Sequence, residues 1–198
     1  MNLVSYRLLE HWARELDGVF TLADLRVVIG DRSEAALYKR VASLVRDGIL
    51  VKVKSGLYAM PDADLRVISC RIEPDAYLST GTVLAQASII GSIPAKRVQA
   101  VKIGRPRIYQ CALGTIEHLS ISAHLYFGFD VINGMRCATP EKAFLDVCYY
   151  AYRGRRFSFD PATDVNVADL DRQRIDHYLS FYDRRFVSDF MRIWGARW

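Results

Sequence analysis

Catalysis needs reactive side chains gathered by spacing, and this chain offers few such spacings. The four histidines, His11, His118, His124 and His177, fall on separate segments, and none stands at a metal-ligand spacing from another histidine, a cysteine or an acid. They read as surface or partly buried side chains. Cys70, Cys111, Cys137 and Cys148 form no CxxC pair, which signals neither a zinc site nor a disulfide framework and points to reduced core thiols. Glu141, Lys142 and Asp146 bring together the residue types that metal-dependent phosphodiester cleavage gathers around a cation. Glu141 and Lys142 are adjacent, however, so a helix turns them to different sides. No acid-x-lysine pattern matches them in Arg71–Asp75, and glycine-rich phosphate loops and nucleophile elbows are absent. An enzyme is therefore the least favoured reading. No catalytic residue and no metal ligand is assigned, and no cofactor is expected.

The chemistry that the residues do support is recognition of anions. Leu37, Val41, Leu44 and Val45 recur at helical spacing and form one apolar stripe. Tyr38, Lys39, Ala42, Ser43 and Arg46 then face the other way, with Ser33 at the helix start and Arg40 a further cation of the same helix. Small residues at 42 and 43 allow close approach to a groove floor. Lys52 and Lys54 follow on an alternating strand. From Arg32 to Lys54 there are six cations against Glu34 and Asp47, whereas Met1 to Asp31 carries three cations against five acids. A second cationic run, Lys96, Arg97, Lys102, Arg105 and Arg107, stands inside a stretch from Ala76 to Ile116 that contains no Asp or Glu. It offers a patch for phosphate, RNA, DNA or an acidic protein surface. The plainer account of the same run is a hairpin edge kept by charge from pairing with neighbours.

These side chains need particular elements to position them. Asp31 with Glu34, or Ser33 alone, caps a helix that Gly48 ends. Ile49, Val51 and Val53 alternate with Leu50, Lys52 and Lys54, and Lys54-Ser55-Gly56 turns into Leu57–Met60, so a hairpin with a basic outer face follows the helix directly. Upstream, Leu8, Leu9, Trp12 and Leu16 form the stripe of a first helix that Gly18 ends. Thr21 with Asp24 caps a second, with Gly30-Asp31 as the turn before the third. Helix, helix, helix and hairpin are the parts of a winged helix-turn-helix, in which the last helix enters the major groove and the wing lies on phosphate. The expected first domain is 1–62, with Pro61-Asp62-Ala63-Asp64 as linker.

The expected second domain, 65–198, is α+β, with an antiparallel sheet and C-terminal helices. Strands are expected at Val67–Ile72, Val98–Ile103, Ile108–Leu113, Ile116–Ile121 and Phe127–Ile132, with an Asn133-Gly134 hairpin into Met135–Ala138. Ala76–Ile90 reads as a helix weakened by Gly81. Thr139-Pro140 opens another, and two more are expected near Val167–Tyr182 and Arg185–Gly195.

Length and composition set the outer limits. With 198 residues, 51% hydrophobic and 25% charged, the chain has room for one large or two small cores. No apolar run approaches the roughly 20 residues of a membrane span. The start of the chain lacks a basic-apolar-cleavage pattern. A cytoplasmic, soluble protein without a membrane partner is expected. A net charge of +5 and a pI near 9.1 fit an anionic partner.

Several stretches together resemble the antitoxin component of AbiE-type (type IV) toxin-antitoxin systems. They are FTLADL, SLVRDGILVKVKSGLYAM, YLSTGTVLAQASIIGSIP, RVQAVKIGRPRIYQCALGTIEHLSI and, above all, CATPEKAFLDVCYY. The resemblance spans nearly the whole chain. It implies an N-terminal winged helix-turn-helix that represses its own operon and a C-terminal domain that counteracts a partner nucleotidyltransferase toxin. On this chain the implied DNA face is Ser33, Tyr38, Lys39, Arg40, Ser43, Arg46, Lys52 and Lys54. Lys96, Arg97, Lys102, Arg105 and Arg107 carry over only as a patch. The expected partners are double-stranded DNA at its own promoter and the toxin, with room for a dimer on DNA. The rival readings are a stand-alone winged-helix regulator whose second domain binds a ligand or partner, and a nucleic-acid-processing enzyme that docks through the winged helix.

Overall fold

The computed structural model describes residues 3–31 and 33–197, and the chain divides into two compact units. Met1–Pro74 with Ile108–Ile116 forms the first, and Asp75–Arg107 with Glu117–Trp198 the second. Arg32, one of the six cations counted above, lies outside the described residues. The protein is α+β, with eight α-helices and nine strands among the described residues.

In the first unit, α1 (Leu3–Glu15) leads into β1 (Val19–Thr21), α2 (Leu22–Ile29), α3 (Glu34–Arg46), β2 (Val51–Lys54) and β3 (Leu57–Ala59). The boundaries are local chemistry. Thr21 and Asp24 close a reciprocal capping box on α2, and Gly30 ends it in the left-handed conformation at φ 74°, which costs glycine no side-chain clash. Ser33 accepts from the Ala36 N–H to start α3. Leu9, Phe20, Leu25, Leu37, Val41, Leu44, Leu50 and Tyr58 form one apolar cluster beneath the three helices. Leu50, expected on the outer face of the hairpin, is part of this core because the strand begins only at Val51.

The three strands pair antiparallel in the order β1-β3-β2 and have apolar residues on both faces. Val19, Val53, Leu57 and Ala59 make a second cluster with Ile68 and Ile72 of α4 (Leu65–Ile72). Here the structure corrects two expectations. Val67–Ile72 is not a strand: Asp64 caps the segment by accepting from the Arg66 N–H, and Ile68 and Ile72, one turn apart, share the buried face. A short apolar run cannot by itself distinguish the two states. Pro61–Asp64 likewise does not end the first unit, which continues to Pro74, because the second face of the three-stranded sheet has to be covered. Tyr109, Leu113 and Ile116 pack against that same cluster, so 108–116 counts with this unit.

A six-stranded sheet has the order β6-β7-β5-β4-β9-β8, from β4 (Tyr77–Leu78), β5 (Arg97–Ile103), β6 (Arg107–Cys111), β7 (Gly114–Ile121), β8 (Phe129–Ile132) and β9 (Met135–Ala138). It is mixed rather than antiparallel, since Leu78 of β4 pairs in parallel with Cys137 of β9 across a long connection. Ala76–Ile90 is not one helix. It opens as β4, turns at Thr80, whose φ is 52°, and leaves only the six-residue α5 (Gly81–Gln86). Thr139 caps α6 (Pro140–Tyr152), which is buried from Glu141 to Tyr150. The helices α7 (Arg172–Leu179) and α8 (Arg184–Trp194) complete the second unit, with Phe186, Phe190 and Trp194 inward.

Candidate nucleic-acid interface and a buried polar core

Helix α3 buries Leu37, Val41 and Leu44, which leaves Tyr38, Lys39, Ala42 and Arg46 on its exposed side. Tyr38 is 49% exposed. Its neighbour is Tyr58, whose phenol is pushed up by burial and then by Tyr38. Tyr58, on β3, pairs across the hairpin with Lys52 of β2. Lys52 and Lys54 are exposed on that strand. Lys39 and Arg46 are thus exposed beside Tyr38 on α3, and Lys52 and Lys54 are exposed on β2, the strand that follows it.

The other expected contacts have local partners. Arg40 reaches back to Asp31 at 3.3 Å, which ties α3 to the turn before it. Ser33 is the helix cap. Arg46 donates to Ser43 at 2.9 Å and lies 3.7 Å from Asp47, a surface pair that nearby phosphate can displace at little cost.

The second basic run is not one patch. Seven residues of extended strand from Arg97 to Ile103 span about 20 Å, so Lys96 and Arg97 stand at one end of β5, and Arg105 and Arg107 at the turn beyond the other. Lys102 is half-buried on the strand rather than at the turn. Adjacency in sequence hid this separation.

Glu141, Lys142 and Asp146 do not form a carboxylate cluster. Glu141 turns to Arg174 at 3.4 Å and accepts from the Asp171 N–H. Lys142 pairs instead with Asp146, and both are fully buried. Asp146 also accepts from the Tyr77 hydroxyl at 3.0 Å and the Ser79 hydroxyl at 2.7 Å, while Lys142 donates to Tyr182 at 3.1 Å. Phe127, Tyr182 and Tyr77 place their rings 5.0, 5.6 and 5.7 Å from the ammonium. Burial, and then the Asp146 charge, hold the Tyr77 and Tyr182 phenols well above their usual range, so both stay protonated, Tyr77 as a donor to Asp146 and Tyr182 as an acceptor from Lys142. A carboxylate already holding two hydroxyls and an ammonium, with no exposed surface, is built for structure.

Beside it lies a second buried network. Thr80 donates to the Gln99 carbonyl at 2.8 Å, the Gln99 amide donates to Glu117 at 3.0 Å, and Arg155 closes on Glu117 at 2.6 Å. Burial alone would raise the Glu117 carboxyl, but Gln99, Arg155 and Arg97 outweigh it and lower the pKa. His118 is fully buried, whereas His11, His124 and His177 are exposed. Among the described residues no group of three or more His, Cys, Asp or Glu is placed to hold a metal ion, and no helix is long and apolar enough to cross a membrane.

No family model matches the chain, and no curated protein matches it. Among solved structures the chain is similar to the crystal structure of RV2827C protein from Mycobacterium tuberculosis. The TM-score is 0.61 over 91% of this chain and 72% of that one, at 17% identity. That likeness is one of fold.

Sequence reasoning missed Tyr77, Ser79, Tyr182, Gln99, Glu117 and Arg155. One signal was present: Lys142 and Asp146 have the i, i+4 spacing at which opposite charges meet on a helix.

Proposed function

We propose that the protein is a DNA-binding repressor that acts as the antitoxin of an AbiE-type (type IV) pair, regulating its own operon and counteracting a nucleotidyltransferase toxin. It does so without catalysis of its own. The first unit is a winged helix-turn-helix in this reading: α3 enters the major groove and the β2–β3 hairpin lies on phosphate. The observation that carries it is the exposure of Lys39, Arg46 and Tyr38 on α3 and of Lys52 and Lys54 on β2, the strand that follows it. The antitoxin role rests on the sequence resemblance and on the exposed Arg105 and Arg107.

Binding of the full chain to its own promoter and to a scrambled duplex, at two salt concentrations, tests the reading. Affinity for both should fall steeply with salt as cations displace counterions, with the promoter preferred at each. Equal affinity for the two duplexes at each salt would overturn specific recognition. Loss of toxicity of a co-expressed nucleotidyltransferase tests the second role. Promoter binding without such rescue would favour the stand-alone regulator.

A further inference from the structure

We propose that a cleft of the second unit, lined by Arg97, Gln99, Arg156 and Ser158, binds a small phosphomonoester. The cleft has a volume of about 280 Å³ and an apolar side formed by Pro94 and Phe157. This lies just below the roughly 300–1,000 Å³ range of small-molecule sites and suits a compact phosphorylated metabolite. The inference is independent of the DNA-binding role and concerns a different surface.

Charge sets the ligand class. Two guanidiniums, Arg155 and Arg97, act on the buried carboxylate of this region, Glu117, and a third, Arg156, lines the cleft. Arg155 is committed to the carboxylate at 2.6 Å, and Arg97 acts on it electrostatically. Arg97 and Arg156 are exposed and make no ion pair with a carboxylate among the described residues. The acids of the following loop, Asp160 and Asp164, hold backbone N–H groups of that loop, at 2.7 Å from Ala162 and 2.8 Å from Asp160. Two guanidiniums without an ion pair thus stand beside the Pro94 and Phe157 side of the cleft. Guanidiniums bind phosphate through paired N–H groups, and hydrogen bonds to ionised oxygens are the strong ones.

The polar floor is preorganised. Gln99 is nearly buried, its carbonyl accepts from Thr80, its main-chain N–H donates to Thr82 at 2.8 Å, and one of its two amide protons goes to Glu117. The second amide proton remains for a ligand. Gly81 lets this floor close: a Cβ there would lie 3.1 Å from both Ile93 and Phe159. A donor already held in place by Thr80, Thr82 and Glu117 spares the ligand part of the ordering cost.

Calorimetric titration of the full chain with adenosine monophosphate, adenosine and inorganic phosphate is the test. The monophosphate should bind saturably, phosphate more weakly, and adenosine not at all. Arg97→Ala and Arg156→Ala should each weaken the monophosphate by about 10- to 100-fold, the worth of a charge-assisted contact. Arg105→Ala with Arg107→Ala, at the far end of β5, should leave it unchanged. Circular dichroism confirms that each variant folds. Equal binding of adenosine and its monophosphate, absence of saturable binding, or equal weakening by the far-end variants would overturn the site.

Discussion

Lys142 and Asp146, one turn apart on α6, form an ion pair that no water reaches. Removing one partner of such a pair strands the other in the core, at a cost of about 3–5 kcal/mol. Lys142→Met should therefore destabilise the protein by that order in urea unfolding. Lys142→Met combined with Asp146→Leu should cost less than Lys142→Met alone, because it strands two hydroxyls, those of Tyr77 and Ser79, but no charge. Additive losses would show that the pair contributes little.

Gly128 is packed against the same lysine. Its φ is +75°, and a Cβ there would sit 3.0 Å from Lys142 Cγ and 3.2 Å from Tyr178 Cζ. Gly128→Ala meets both a left-handed backbone, worth about 1–2 kcal/mol, and a crowded site. Thermal melting should show a clear loss, larger than for alanine at the open turn glycine Gly134. Equal losses at the two positions would leave only the backbone effect.

The Glu117 carboxyl, lowered by Gln99 and its arginines, makes stability pH-dependent. A depressed folded pKa gives stabilisation that is full above the unfolded value and is lost as pH falls through the folded one. Wild-type melting temperature should accordingly fall on the acid side. Glu117→Gln should melt lower near neutrality and show a shallower acid limb. Superimposable acid limbs would show that this carboxylate adds nothing to the acid sensitivity.

What the sequence made legible is what neighbours in sequence decide. The Thr21–Asp24 box, the Ser33 and Thr139 caps and the Asn133-Gly134 turn all stand where their side-chain chemistry places them. Val67–Ile72 and Ala76–Ile90 depart from their local pattern because distant partners decide them: α4 covers Val53 and Leu57, and the second segment breaks at Thr80, which donates to Gln99. The buried core was illegible for the same reason. Tyr77 and Asp146 stand 69 positions apart, and only the folded sheet joins them.

On DNA, Tyr38 and Lys54 should separate base readout from phosphate contact. Tyr38→Ala should relax preference at one or two positions, costing about 1–3 kcal/mol on the promoter, while Lys54→Ala should weaken all duplexes alike and reduce the salt slope by about one. Arg40→Ala, which cuts the 3.3 Å tie to Asp31, should lower stability more than specificity. Binding to a panel of single-base variants decides among these. A change of base preference with Lys54→Ala, and none with Tyr38→Ala, would reverse the docking arrangement.

The division of the second basic run makes the antitoxin role testable by parts. Arg105 and Arg107 flank an exposed turn, and with no acid from Ala76 to Ile116 their field reaches an incoming phosphate or acidic surface over about a Debye length of 8 Å. Lys96 stands at the other end of β5, about 20 Å away, where that field is screened. In the full chain, Arg105→Glu with Arg107→Glu should abolish rescue from a co-expressed nucleotidyltransferase toxin and leave promoter binding intact, because α3 and the hairpin are untouched. Lys96→Glu should preserve both. Growth assays beside promoter binding read the two outcomes separately. Full rescue by the Arg105/Arg107 reversal would remove the turn from the mechanism, and loss of rescue with Lys96→Glu alone would move the toxin-facing surface to the opposite end of the strand.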